Sequence, residues 1–205
     1  MTDAPEFFVA DKPERFGEAI RRFDDENARD PNIEMAEGRT WPRELLYAKR
    51  LSAWVMRLAP GASEHLRLAS RCQHICRWQI PREKYPMDRV GYLKWRNALK
   101  AFHADKAGQI LREVGYAEDA IVKVQDLNLK KNFPSDRDSR VLEDALCLVF
   151  LEHQFVDLAN KTNEDKMVNV LRKSWNKMTE AAREEAKKFN FAPRERALLE
   201  KALQE

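Results

Sequence analysis

From Phe16 to Leu203 the large apolar residues of this chain recur at intervals of three and four, and no stretch reads as alternating apolar and polar over the length of a strand. That spacing lines them up on one face of a 3.6-residue helix, so the chain is predicted to be all-α, with about eight or nine helices. Pro13 suits the first turn of a helix reaching about Ala28, with Phe16, Ile20 and Phe23 on one side. Thr40 and Pro42 open a second helix through Leu51, Trp54 and Leu58, which stops at Pro60 and Gly61. Ser63 is the expected N-cap of a third, from Glu64 to about Trp78, and Pro81 and Pro86 enforce a non-helical connection after it. A fourth runs from about Asp88 to Val114 and closes at Gly115, and a fifth covers Glu118 to about Leu129. The sixth, about 138–158, holds ALCLVFLE from Ala145, apolar on every side, which marks a buried central helix. Shorter amphipathic helices follow at Met167–Met178, Thr179–Phe189 and Pro193–Leu203. The expected organisation is a single compact multi-helix domain over 1–205, with a core of about 13–160 and a C-terminal helical extension of about 164–205.

Composition narrows the setting. Only six glycines in 205 residues argues against a sheet rich in tight turns. No apolar run approaches the roughly 20 residues of a membrane span, so no membrane partner is expected. The opening MTDAPEFFVADKPERF lacks the basic-then-apolar order of a secretory leader. Cys72, Cys76 and Cys147 are odd in number and lie in segments read as helical. They fit reduced thiols in a cytoplasmic protein better than a disulfide framework.

Charge is unevenly spread. Between Gly61 and Ile110 there are ten Lys and Arg against four Asp and Glu, whereas the whole chain nets only +3. Within that region RLASRCQHICRWQIPREKYPMDRVGYLKWR, from Arg67 to Arg96, interleaves cations, aromatics and a histidine, a composition suited to an anion pocket and above all to phosphate.

Three residues along the chain are candidates for chemistry. On a helix through 64–78, Arg67, Ser70, Arg71, His74, Arg77 and Trp78 share one side, and arginines one turn away favour neutral imidazole at His74. Neutral imidazole is the form that ligates metal or accepts a proton; the same residues also fit a solvated basic face. His103 has Leu99 and Ile110 as face partners and points toward the core, where a histidine is more often a satisfied packing residue. Asp144 lies among Val141, Leu148 and Leu151, so its carboxylate needs a metal, a cation or capping amides. Glu143 is the competing inward group.

The string ELLYAKRLSAW, RCQHICRWQIPREKYPM, GYLKWR, FHADKAGQIL and LEDALCLVFLEH resembles the domain-of-unknown-function family 4202, over about Arg15 to Leu203. Members of that family resemble, more distantly, the HD-domain metal-dependent phosphohydrolases, which are all-helical and act on phosphate esters of nucleotides. The HD comparison implies an early ligand at Tyr47, the adjacent ligand pair at Gln73 and His74, a distant Asp at Asp144 and an additional His at His103. Tyr, Gln and His thus stand where His, His and Asp are expected. A rearranged site of His74, His103 and Asp144 with Glu44 would suit Mn, Fe or Zn and leave a position open for water.

Two functional classes follow. One is an HD-like phosphohydrolase, or a binder of a small phosphorylated ligand, with His74 and Asp144 catalytic and Arg71, Arg77, Arg82 and Lys106 neutralising the anion. In that case Tyr85, Tyr92 and Trp95 stack on a base or sugar. The alternative is a non-enzymatic RNA, tRNA or nucleotide binder using the same surface, although a pI of about 8.7 is only mildly basic. Aminoacyl-tRNA synthetase activity is not expected. His74-Ile75-Cys76-Arg77 and Lys177-Met178-Thr179 echo the HIGH and KMSKS motifs only faintly, with no strand pattern around them.

Overall fold

The computed structural model describes residues 10–204; residues 1–9, most of the stretch read for a leader, and residue 205 lie outside the described residues. Ten α-helices, two short 3-10 turns and one two-stranded hairpin among the described residues make the class all-α. No helix among the described residues is long and apolar enough to cross a membrane. The backbone divides into two units, one ending at Ser139 and the other beginning at Arg140, so the division falls in the first turn of the sixth helix.

In the first unit, α1 (Pro13–Asn27) starts at a proline and buries Ala19, Phe23 and Asn27. A feature that the periodicity missed follows it, an antiparallel hairpin of β1 (Ile33–Ala36) and β2 (Arg39–Pro42). Its two-residue loop places Glu37 at φ 54° and Gly38 at φ 73°, the pair of left-handed residues that a type I′ turn requires. Strands of four residues are too short to show alternation, and Glu at a left-handed position gives no turn signal.

The hairpin leads directly into α2 (Arg43–Leu58), whose N-cap position is Pro42 and so supplies no side-chain acceptor. Asp30, fourteen residues from Glu44, does that work. Its Oδ2 accepts the Glu44 N–H at 3.0 Å, while Oδ1 accepts from the backbone and side chain of Asn32. One buried carboxylate therefore ties the end of α1, the hairpin and the first turn of α2 together.

α3 begins as expected, with the Ser63 hydroxyl accepting from Leu66 N–H, but it ends at Cys72 instead of running to Trp78. The chain turns through 73–76 with Cys76 left-handed at φ 53°, and 3-10 turns follow at Arg77–Gln79 and Arg82–Lys84. Cys76 is consequently not helical, and His74 and Arg77 do not share a helix face with Arg67 and Arg71. Asn27 explains the break. Its buried Oδ1 accepts the Cys76 N–H at 3.1 Å, satisfying the turn's backbone from another element.

α4 (Arg89–Glu113) is capped by Asp88, whose carboxylate accepts from Gly91 N–H. A Cβ at Gly91 would lie 2.0 Å from the Pro86 carbonyl oxygen, so the connection folds back on the helix start only because glycine is there. Gly115, at φ 88°, closes α4 as expected, and α5 (Glu118–Leu129) packs back along it. α3 lies against α1, α2 and α5, which makes it the hub of this unit.

In the second unit, α6 (Arg137–His153) buries Leu142, Ala145, Leu148, Val149 and Leu151, in line with its all-round apolar pattern. It stops at Gln154, so the expected 138–158 helix is two, with α7 at Phe155–Lys161. α8 (Glu164–Lys177), α9 (Glu180–Lys187) and α10 (Pro193–Leu203) complete the chain, with α8 and α10 packed together. All three cysteines are buried, and none forms a disulfide.

Substituting Asp30→Ala removes the acceptor for α2 and leaves the Glu44 N–H without its partner. Loss of a capping side chain destabilises by roughly 0.5–2 kcal/mol, and this one also holds the hairpin, so the upper end is expected. Urea denaturation should show a lower midpoint with a nearly unchanged slope; a midpoint equal to that of the native sequence excludes the capping role.

Candidate functional site

Three elements of the first unit bring polar side chains to one buried place. The first two turns of α2 supply Glu44 and Tyr47, the turn after α3 supplies His74, and the middle of α4 supplies His103. The His74 ring stacks on Tyr47 with centroids 4.3 Å apart and planes 13° from parallel, and it lies 5.7 Å from the His103 ring. His74 Nδ1 is 3.7 Å from Glu44 Oε2, and Arg77 Nε is 3.9 Å from Glu44 Oε1. Glu44 and His103 are buried, but a quarter of the His74 side chain and a similar share of Arg77 reach solvent. The cluster therefore has an opening on the His74 side.

Hydrogen bonding sets the state of each group. His103 Nδ1–H donates to the Ile75 carbonyl at 2.8 Å, which leaves Nε2 as the lone-pair nitrogen. That Nε2 is buried without a hydrogen-bond partner, and so are Glu44 Oε2 and the Oε1 of buried Gln73. Burial pushes the Glu44 carboxyl up to about 7, with Arg77 only partly opposing. Burial, then Arg77, His103, Arg96 and Lys130, hold His74 well below its ordinary value, and burial takes His103 down to about 4. At neutral pH both imidazoles are neutral bases, and Glu44 is poised between acid and carboxylate.

Most of the remaining candidates are held by other partners. Asp144 belongs to the second unit, where its two oxygens accept the backbone N–H of Thr179 at 2.8 Å and its hydroxyl at 2.6 Å. Thr179 in turn caps α9, and neighbouring Glu143 accepts from Lys177 at 3.0 Å. Burial raises Asp144 while Thr179 opposes, so capping donors meet the need that its apolar neighbours created. Arg71 clasps Asp24 through two hydrogen bonds of 2.6 and 2.7 Å, and Lys106 lies 3.2 Å from Glu26. Arg82 donates to the carbonyls of Tyr85, Pro86 and Asp88, staples of its own loop. Arg77 alone of the four cations borders the cluster, over the Trp95 ring at 4.9 Å. Trp95 is itself buried and donates Nε1–H to the Ile80 carbonyl; Tyr85 is half-buried and Tyr92 exposed.

Sequence reasoning missed Asn27, which shapes the turn carrying His74, and the Ile75 carbonyl, which sets the His103 tautomer. Neither leaves a local signal, because each acts across roughly 28 to 49 positions. Among the described residues, no three His, Cys, Asp or Glu side chains form a ready-made metal cage.

A family model described as "Domain of unknown function (DUF4202)" matches residues 17–199. No curated protein and no solved structure matches the chain.

A carboxyl raised from 4.5 to about 7 ties the stability of the metal-free protein to pH. The folded state retains a proton that the unfolded chain loses above about 4.5, so this contribution is full at low pH and is lost as pH rises to about 7. Relative to Glu44→Gln, the native chain should lose on the order of 3 kcal/mol across that window. Denaturation midpoints measured for both proteins at several pH values check it; parallel curves exclude the raised carboxyl.

Proposed function

The chain belongs to the DUF4202 family, and from that premise we propose that its first unit is a metal-dependent phosphohydrolase centre for a small phosphorylated ligand, with Glu44, His74 and His103 as the metal-binding set. The observation that carries this reading is a pair of buried atoms without partners, Glu44 Oε2 and His103 Nε2, beside the partly open His74. Buried polar atoms are rarely left unpaired, and both of these are lone-pair donors. The 3.7 Å between His74 Nδ1 and Glu44 Oε2 suits two ligands each about 2.0–2.2 Å from one cation. His103 has the usual arrangement of a ligating histidine, with the far ring nitrogen held by a carbonyl. Two imidazoles and a carboxylate favour Mn, Fe or Zn.

A divalent ion bound there supplies Lewis-acid polarisation of a phosphoryl oxygen and a water of lowered pKa. The chain's own residues do the rest. Neutral His74 and His103 present lone pairs without having to release protons. Tyr47 fixes the plane of the His74 ring. Arg77, partly exposed beside the cluster, is placed to neutralise charge on the phosphoryl group, with Arg96 contributing positive potential at His74. Glu44 holds a proton near neutrality and gives it up once a cation replaces it as the source of positive charge.

Metal-stripped full-length protein titrated calorimetrically with Mn or Zn should take up the ion close to stoichiometrically. Outer partners of metal ligands are worth about 10–100-fold in affinity, so His103→Ala should lose at least that much while retaining its helical signal by circular dichroism. A panel of nucleotides and sugar phosphates should then show turnover that depends on added metal. Failure of the native chain to bind any of these ions sinks the metal centre, and metal binding without turnover sinks the hydrolase.

A further inference from the structure

Among the described residues, four of the ten exposed large hydrophobics fall within seven positions: Met87, Val90, Tyr92 and Leu93, with 78, 61, 42 and 51% of their surface open. They sit on the first turns of α4 and the residue before its cap, outside the Glu44–His74–His103 cluster. Gly91, Trp95 and Leu99 face inward along the same helix, while Arg89, Val90, Tyr92, Leu93, Lys94, Arg96 and Asn97 are all exposed. Val90, Leu93, Lys94 and Asn97 share one side at helical spacing, and Arg89, Leu93 and Arg96 share the adjoining one.

Many cations elsewhere on the surface are paired with carboxylates, and those of this face are not paired with one among the described residues. Arg21, Arg22, Arg29, Arg112, Lys131, Lys187, Lys188 and Lys201 each have a carboxylate within ion-pair distance. Arg96 donates to the Tyr92 hydroxyl at 3.3 Å and lies over the Tyr92 ring, and Arg82 donates to backbone carbonyls and lies over the Tyr92 and Trp95 rings, neither with a carboxylate partner. From Arg82 to Asn97 there are five cations against Glu83 and Asp88, a net charge equal to that of the whole chain. Asp88 is engaged as the cap of α4, which leaves the rim basic.

We propose that this face is a peripheral docking surface for an anionic lipid bilayer, with Met87, Val90 and Leu93 wedged among the acyl chains and Lys84, Arg89, Lys94 and Arg96 against the headgroups. Charge complementarity selects an anionic surface, and the aliphatic residues select lipid over nucleic acid, whose bases call for aromatic platforms. Tyr92 has the amphipathic ring that suits the interfacial layer. The apolar part of the face is small, three exposed aliphatic side chains and one tyrosine. A stable protein interface needs about 800 Å² on each partner, which three side chains do not supply, whereas a bilayer adds charge attraction around a shallow wedge. The wedge is also preorganised, because Gly91 lets Pro86 close on the helix and Arg82 pins the carbonyls of Tyr85, Pro86 and Asp88. No membrane span is involved.

Co-sedimentation of the full chain with phosphatidylcholine vesicles, with and without phosphatidylserine, tests this. Binding to the phosphatidylserine vesicles alone, weakened by salt, is the expected result. V90S/L93S should reduce it about tenfold or more, since both side chains are exposed and their loss leaves the fold intact by circular dichroism. Val122→Ser, at an exposed site on α5, should bind as the native chain does. R89E/K94E should abolish binding. No sedimentation with anionic vesicles overturns the proposal. So does binding that V90S/L93S leaves unchanged, or retention of single-stranded RNA in preference to vesicles through the same cations.

Discussion

The hydrogen bond from Cys76 N–H to the buried Asn27 side chain governs where the chemistry of this protein sits. Without it, the sequence from Glu64 to Trp78 has every reason to continue as one helix. His74 and Arg77 would then lie on a basic face with Arg67 and Arg71. With it, α3 ends at Cys72, a non-glycine residue adopts a left-handed conformation, and the chain doubles back so that His74 meets Tyr47, Glu44 and His103. A left-handed conformation at a non-glycine residue is disfavoured by roughly 1–2 kcal/mol, so it persists only because the surrounding contacts over-determine it.

The second constraint is the desolvation of Glu44. Its carboxyl is held at the start of α2, where its own amide is tied to Asp30, and it is buried with one oxygen unpaired. Arg77 at 3.9 Å is too distant to offset that burial in full, which is why the carboxyl rises to about 7 while the neighbouring imidazoles fall. The carboxyl is shifted up and the imidazoles down, reversing their usual order, in a place with an opening to solvent. A core assembled for stability alone would favour apolar residues or complete pairing here. The surrounding cations divide by the same logic: Arg71 and Lys106 are quenched by Asp24 and Glu26, and Arg77 is left at the edge of the cluster.

The second unit shows how one residue pattern serves two purposes. Asp144 among apolar neighbours correctly announced a carboxylate in need of donors. The donors are the amide and hydroxyl of Thr179, so the carboxylate stabilises the start of α9 through that threonine. Pattern identifies the need of a buried charge, and only the fold identifies what meets it.

Much of the architecture was legible in the residues. Apolar spacing located the helices, Ser63 and Asp88 marked two starts, Gly115 marked an end, and His103 pointed inward, because each of these is a local matter of backbone propensity and side-chain period. The hairpin at 33–42 escaped because four-residue strands carry too little alternation, and the ends of α3 and α6 escaped because neighbouring elements or a single non-helical residue set them. The sequence by itself therefore determined an all-α chain with a cationic, histidine-bearing stretch near its middle. Tertiary structure alone decided that Glu44, Tyr47, His74 and His103 converge, that Asp144 holds the threonine capping α9, and which cations lack a carboxylate partner. Hydrogen bonds between residues 14 to 49 positions apart made those choices, and no local pattern encodes them.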